Sequence, residues 1–219
     1  MPKQSPPQVR YAPAIQLPPY AYVPGHGLAH PLNNPDGHLA SRRESSQVPP
    51  IATATLAALP AEPDALRHAL AAVLVVNSEW LYAIDLFNSG FYWEAHECWE
   101  QFWHALGRTT PAARFTQGLI HLAAAAVKVR EGRPAGVTSH TQRARDLMSE
   151  IWAVTGDAQA TDGCGSLGLV PESLVRVHAE LNGFTPACWH TSRYPAVRVL
   201  AAELQVGIER SVLTAGTPP

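Results

Sequence analysis

The sequence predicts an all-α protein, a compact antiparallel helical bundle that follows an extended, Pro-rich N-terminal arm. Eleven of the 20 prolines lie in the first 50 residues, and so proline-rich a segment propagates neither a helix nor a central strand. From residue 64 onwards, long Ala/Leu-rich segments show helical periodicity, and glycines separate them. We therefore place the arm at residues 1–50 and the helical domain at residues 51–219, with a motif core at residues 80–150.

Composition and charge narrow the class of protein. The 219 residues are 46% hydrophobic, and the formal net charge of −2 gives no electrostatic attraction to nucleic acid or to an anionic membrane. No apolar run reaches the ~18 residues of a membrane span, and the N-terminus lacks the apolar core of a secretory signal. Three cysteines without a CxxC pair suit a reducing compartment. We expect a cytoplasmic protein with no nucleic-acid or membrane partner.

The N-terminal arm has two interpretations. Its Pro, Gly and Asn content is typical of a disordered tail. Residues 17–40 also contain Tyr20, Tyr22 and Val23, which could anchor an extended arm on the folded body. Both interpretations stay open at the level of sequence.

The first helical segment, residues 64–87, contains neither proline nor glycine. Asp64 is placed to cap its start, and we expect a break near Asn77, where Ser78 can cap a second helix. The tripeptide NSG then ends that helix in a tight turn, in which Gly90 needs a positive φ.

Further helices are predicted after this turn, each ending near a glycine. They cover residues 91–106, 112–131, 137–154 and 172–181, and the glycines that stop them are Gly107, Gly132, Gly156 and Gly183. Residues 194–209 stay ambiguous between a terminal helix and a strand-like arm, because valines alternate at 197 and 199.

The segment 91–106 sorts into faces at 100° per residue. One arc is apolar and predicts the core face: Tyr92, Ala95, Trp99, Phe102, Trp103 and Leu106. Beside it lie His96, Glu97, Glu100 and His104, with Trp93 among them, where partial burial can shift a pKa. Glu94, Cys98 and Ala105 fall on the remaining side, and Cys98 is predicted to be an inert thiol.

A matching polar stripe runs along the next helix, formed by Gln117, His121, Ala124 and Lys128. Antiparallel packing of the two helices would place His96 and Glu100 opposite Gln117 and His121. Such a stripe is either a structural hydrogen-bond network within a non-catalytic interaction module, or a metal site. His140 is predicted to lie on the surface.

The metal hypothesis assigns a role to each polar residue. The ligands to a divalent ion are His96, Glu100 and His121, the catalytic groups are Glu97 as general base and Lys128, and the supporting residues are Gln117, Trp103 and His38. The dipole at the end of its helix is an alternative explanation for Lys128. The sequence HECWE is not the HExxH zinc motif, since Glu100 stands where the second histidine should be. The substrate, a small molecule or a protein, and a homo-oligomeric state stay open.

The arm could complete this site. Mononuclear metal sites generally have three or four protein ligands, whereas the helices supply only two or three convergent groups from one side, so the helical stripe alone is incomplete. The arm carries His26, His30, Asp36 and His38, so folding over the bundle could bring His30 or His38 to the stripe. The alternative is that these histidines lie in a surface loop.

The hairpin and the helix after it resemble the family known as domain of unknown function 309. The resemblance spans residues 80 to about 150 and follows an FN-x-G-x-Y-x-EAHE-x-x-E-x-x-W hairpin with a downstream QGLI helix. The matching positions are Phe87, Asn88, Gly90, Tyr92, Glu94, Ala95, His96, Glu97, Glu100 and Trp103, then Gln117, Gly118, Leu119 and Ile120. The resemblance implies an all-helical fold. Members of this uncharacterised family have been labelled predicted metal-dependent hydrolases, and part of the arm looks like a leader found in a longer subgroup.

Overall fold

The computed structural model describes residues 10–39, 50–155, 167–184 and 196–207. Seven helices lie within this part of the chain, and no strand longer than an isolated bridge occurs there. They are α1 (Thr53–Ala57), α2 (Pro63–Leu74), α3 (Ser78–Asn88), α4 (Tyr92–Ala105), α5 (Pro111–Arg130), α6 (Pro134–Thr155) and α7 (Pro171–Asn182). The all-α prediction is confirmed.

The N-caps of α2 and α3 lie two residues and one residue before the positions predicted from the sequence. Pro63 occupies the first turn of α2, so Glu62 is the N-cap and its carboxylate accepts the N–H groups of Asp64 and Ala65. The break before α3 is confirmed, but Asn77 is the cap, since its Oδ1 accepts the Trp80 N–H at 2.9 Å. The predicted caps Asp64 and Ser78 are therefore wrong.

The turn between α3 and α4 has the conformation predicted for it. Gly90 has φ of 86°, a left-handed backbone that a side chain rarely adopts. An added Cβ at Gly90 would also lie 2.8 Å from the carbonyl carbon of Val197, in the C-terminal segment. Gly107 and Gly132 have positive φ at the ends of α4 and α5, whereas Gly156 lies outside the described residues.

The core lies where α5 packs between α4 and α6. Its largest fully buried apolar side chains come from α3, α4 and α5: Trp80, Phe87, Trp99, Phe102 and Phe115. The rings of Trp80 and Phe102 meet edge to face, with their centroids 5.1 Å apart, an arrangement that aromatic pairs favour. Gly118 lets α6 approach closely, because a Cβ there would lie 2.9 Å from Met148 Cγ.

Two extended segments cover the α3–α4 hairpin. The N-terminal arm (residues 10–39) packs against it, with Ala12, Ala21 and Val23 buried. The C-terminal segment (residues 196–207) is also extended, so the strand-like alternative is the one observed in the described part of that region. Its Val206 bridges Leu169 in antiparallel fashion.

No single described helix is long and apolar enough to cross a membrane. The helices α2 and α3 meet the length and composition criteria only together, and the pair is bent by 72°.

Candidate functional site

The faces of α4 follow the predicted division only in part. The apolar arc is buried except for Trp103, which is partly exposed. Beside it, His96, Glu97 and Glu100 are partly exposed and His104 is exposed. The remaining side of α4 was expected to face outwards, but its Glu94 and Cys98 are buried, with 2% and 7% exposure. The N-terminal arm binds Glu94 through the Tyr22 N–H, and Cys98 Sγ contacts the Glu79 carbonyl of α3, so a face that helical periodicity alone places on the outside is covered.

Three side chains of α4 form a compact group of possible metal ligands. One ligand atom from each of His96, Glu97 and Glu100 lies within 4.8 Å of the others. His96 Nδ1 is 3.4 Å from Glu97 Oε1, and His96 Nε2 is 3.9 Å from Glu100 Oε1. These two distances start from different nitrogens of the His96 ring, and an imidazole binds one ion through one nitrogen only, so the case for a shared ion rests on the convergence of one ligand atom from each residue within 4.8 Å.

This group is not a closed hydrogen-bond network. His96 Nδ1 is buried without a hydrogen-bond partner in the described part of the chain, and both ion pairs exceed hydrogen-bond length. The side chains of His96, Glu97 and Glu100 keep 25%, 20% and 39% exposure. They are therefore polar, partly open and incompletely paired.

A second pair of histidines joins α5 to α6 nearby. His121 Nδ1 lies 3.0 Å from His140 Nδ1, so one ring donates a hydrogen bond to the other. Burial, with His140, Arg143 and His96 contributing, lowers the pKa of His121 to about 4. Burial, Lys128 and His96 lower the pKa of His140, while Glu131 opposes that shift. Both rings are thus neutral at pH 7, the form in which imidazole binds metals.

His140 corrects the sequence interpretation, which placed it on the surface. It is half-buried and contacts His121, and the field of His96 reaches both rings. The position of α6 relative to α5 determines this contact, and no spacing within either helix predicts it. His121 itself bonds to His140 and stands outside the group of His96, Glu97 and Glu100.

The predicted stripe on α5 does lie on one face. Gln117, His121, Ala124 and Lys128 are all intermediate in exposure. Lys128 Nζ donates to both carboxylate oxygens of Glu131 at 2.9 Å, so its charge is already paired. The side chain of Gln117 makes no hydrogen bond within the described residues, so it does not link the stripe to Glu97 or Glu100.

Trp103 supports a turn. Its Nε1 donates to the Arg108 carbonyl at 3.0 Å, and the Arg108 guanidinium lies 5.5 Å from its ring centre. Arg108 has φ of 60°, an unusual backbone for a residue with a side chain, which this clamp helps to hold. We find no described contact from Trp103 to the possible ligands.

The arm histidines do not reach the ligand group. His38 Nε2 lies 3.4 Å from Glu94 Oε1, and His30 packs against Tyr22 and Trp93. His30 Nδ1 accepts the Leu32 and Asn33 N–H groups. The group of possible ligands contains no arm residue among those described. The arm-completed site therefore gains no support from these positions.

The comparison with protein families finds a match that includes most of the α3–α4 hairpin. Residues 80–139 match the model of a domain of unknown function, DUF309. This match confirms the resemblance seen in the sequence. Comparison with curated proteins and with solved structures finds no significant match.

Several motif positions of the DUF309 segment bind extended backbone. Asn88 pairs with Leu204 in both directions at 2.8 Å, and the Tyr92 hydroxyl accepts the N–H groups of Val199 and Leu200. Glu94 Oε1 accepts the Tyr22 N–H at 2.8 Å. These hydrogen bonds explain structurally why Asn88, Tyr92 and Glu94 are buried polar residues of the hairpin.

Proposed function

We propose that the protein is a metal-dependent hydrolase whose divalent ion is held by His96, Glu97 and Glu100. The observation that carries the proposal is the convergence of their ligand atoms within 4.8 Å in a partly exposed group. Exposed acidic groups alone are common, but here an imidazole nitrogen without a hydrogen bond accompanies the two carboxylates. Three protein ligands plus open positions are typical of catalytic rather than structural sites.

The residues divide the chemistry between them. A bound divalent ion would supply Lewis acidity and lower the pKa of water to about 7. Glu97, first considered as a general base, serves as the third ligand in this proposal, because His121 is bonded to His140 instead. The neutral rings of His121 and His140 border the group without adding positive charge, while Lys128 shares the carboxylate of Glu131 with Arg133.

The interaction-module alternative receives less support. A structural network would satisfy its polar atoms, whereas His96 Nδ1 is left without a hydrogen bond in the described structure. The polar side chains Asp85, Asn88, Tyr92 and Glu94 of the hairpin bind the chain's own extended segments, so they are not available to a partner.

Equilibrium dialysis against Zn²⁺ and Mn²⁺ tests the proposal. We expect about one ion per chain in the wild type. H96Q and E100Q should lose at least about 100-fold in affinity, because losing even an outer-shell partner of a ligand costs about 10- to 100-fold. A matched control is H104Q, on the same helix but outside the ligand group.

Hydrolysis is then assayed on activated esters and phosphodiesters, with and without chelator. The proposal predicts a chelator-sensitive rate that H96Q and E100Q lose and H104Q keeps. Equal ion content in all four proteins, or an equal rate in chelator, would contradict it.

A further inference from the structure

A cavity of about 200 Å³ lies between the N-terminal arm and the α3–α4 hairpin. Leu32 and Leu39 of the arm line one side, and Tyr82 and Leu86 of α3 line another. At this volume the cavity is smaller than the ~300–1,000 Å³ of drug-sized sites, so its ligand is small.

Three carboxylates of α4 complete the wall. Glu94, Glu97 and Glu100 line the cavity, and no lysine or arginine is among the described lining residues. Because Glu97 and Glu100 also belong to the possible ligand group, the cavity borders that group. An apolar wall with carboxylates suits a ligand with a short hydrocarbon body and a nitrogen donor.

Glu94 is the deepest of these carboxylates, with 2% exposure. Its Oε1 accepts the Tyr22 N–H, and His38 Nε2 lies 3.4 Å from the same oxygen. Its Oε2 is buried and has no hydrogen-bond partner in the described part of the chain. A buried carboxylate oxygen without a donor is costly, and a ligand N–H group would remove that cost.

The charges around Glu94 do not already satisfy Oε2. Arg130 is 1% exposed, and burial lowers the pKa of its guanidinium. The nearby charge of Glu94 opposes that shift. The positive charge of Arg130 balances part of the carboxylate charge, but neither Arg130 nor His38 donates a described hydrogen bond to Oε2. Glu94 thus lines the cavity and carries a buried acceptor atom without a donor.

We propose that this cavity binds a small primary amine. The ammonium group donates to Glu94 Oε2, and the apolar body packs against Leu32 and Leu86. The far end of the ligand points towards Glu97 and Glu100. The inference rests on the proposed function only where it makes this amine the substrate; the binding itself needs no metal.

The probe is n-butylammonium, titrated into the full-length protein in EDTA and followed by amide NMR. The Tyr22 N–H is the reporter, because it bonds to Glu94. We expect saturable shifts with a Kd of about 1 mM, given five non-hydrogen atoms, and no saturable shift with n-butanol.

Two variants test the assignment independently. E94Q keeps an oxygen for the Tyr22 N–H but loses the charge, and we expect binding to weaken about tenfold or more. L32W fills the cavity from the arm without changing Glu94, and we expect it to abolish binding. E172Q, on the exposed start of α7, is the matched control and should bind as the wild type does.

The outcomes separate this inference from the proposed hydrolase. Butylammonium binding that E94Q weakens supports the amine site, even if dialysis finds no metal. Equal responses to butylammonium and butanol, or a folded E94Q that binds as well as the wild type, would overturn it, even if the metal site holds.

Discussion

At the scale of single residues, the polar side chains around the α3–α4 turn fall into two groups. Asn88, Tyr92 and Glu94 are buried and bind backbone of the extended segments. His96 and its neighbouring glutamates are partly exposed and make no such bonds. This difference explains how one short run can be rich in both aromatic and acidic residues.

Substitution of Gly90 tests the turn. G90V places a side chain at φ of 86° and within 2.8 Å of the Val197 backbone, so both backbone strain and a clash oppose it. We expect a loss of about 2 kcal/mol or more in the free energy of unfolding, measured by urea denaturation. G207A is the control, because the nearest heavy atom to its Cβ, Gly168 O, is 3.6 Å away. A G90V protein as stable as G207A would refute this account of the turn.

The buried, neutral ring of His178 should make the free energy of unfolding depend on pH. Burial, with a smaller contribution from Arg145, lowers its pKa to about 4, and both ring nitrogens are buried without hydrogen bonds in the described residues. The unfolded chain binds this proton near pH 6.5, so the stability held at neutral pH is lost as pH falls from about 6.5 towards 4.

The variant H178L removes that linkage. We expect the decrease in unfolding free energy between pH 7 and pH 4 to be smaller than in the wild type by on the order of 2 kcal/mol. H68Q, at an exposed position of α2, should leave the decrease unchanged. A wild-type pH profile in H178L would show that His178 is not buried as a neutral ring.

At the scale of elements, the helices could be predicted because 3.6-residue periodicity and glycine stops are local signals. The caps were missed by one or two residues, since Pro63 at the first turn makes Glu62 the cap. The burial of Glu94 could not be predicted, because the arm that binds it has no periodicity, and the burial of Cys98 depends on its contact with α3. His140 was missed because α6 brings it to His121 from another helix.

The extended segments are expected to loosen independently. Y92F removes the hydroxyl that accepts the Val199 and Leu200 N–H groups, which should cost about 1–3 kcal/mol and speed hydrogen exchange at those two amides. Y82F, which loses the bond to the Gln16 carbonyl, should speed exchange in the arm instead. The same exchange pattern in both variants would mean that the two segments are not held separately.

At the scale of the whole molecule, both chain ends described here converge on one hairpin. Asp85 accepts the N–H groups of Tyr11 and Ala12 at 2.8 Å, and the Tyr11 hydroxyl accepts the Val206 N–H at 3.2 Å. The DUF309 segment is thus the centre of the described fold, with the ligand group on the edge that the arm leaves partly open.

A substitution at Asp85 should change stability without changing metal binding. D85N turns an acceptor into a donor against the arm backbone, so we expect a loss of about 1–3 kcal/mol in stability. Metal content should not change, because the arm contributes no described ligand. D146N, on the outer part of α6, is the control for stability. Loss of bound metal in a folded D85N protein would mean that the arm takes part in the site.

The central claim is that His96, Glu97 and Glu100 hold one divalent ion. Crystals grown with Zn²⁺ and measured at its absorption edge test this most directly. The account predicts one anomalous peak about 2.0–2.2 Å from a ring nitrogen of His96 and from oxygens of Glu97 and Glu100. A peak on other residues, or none at saturating Zn²⁺, would contradict it.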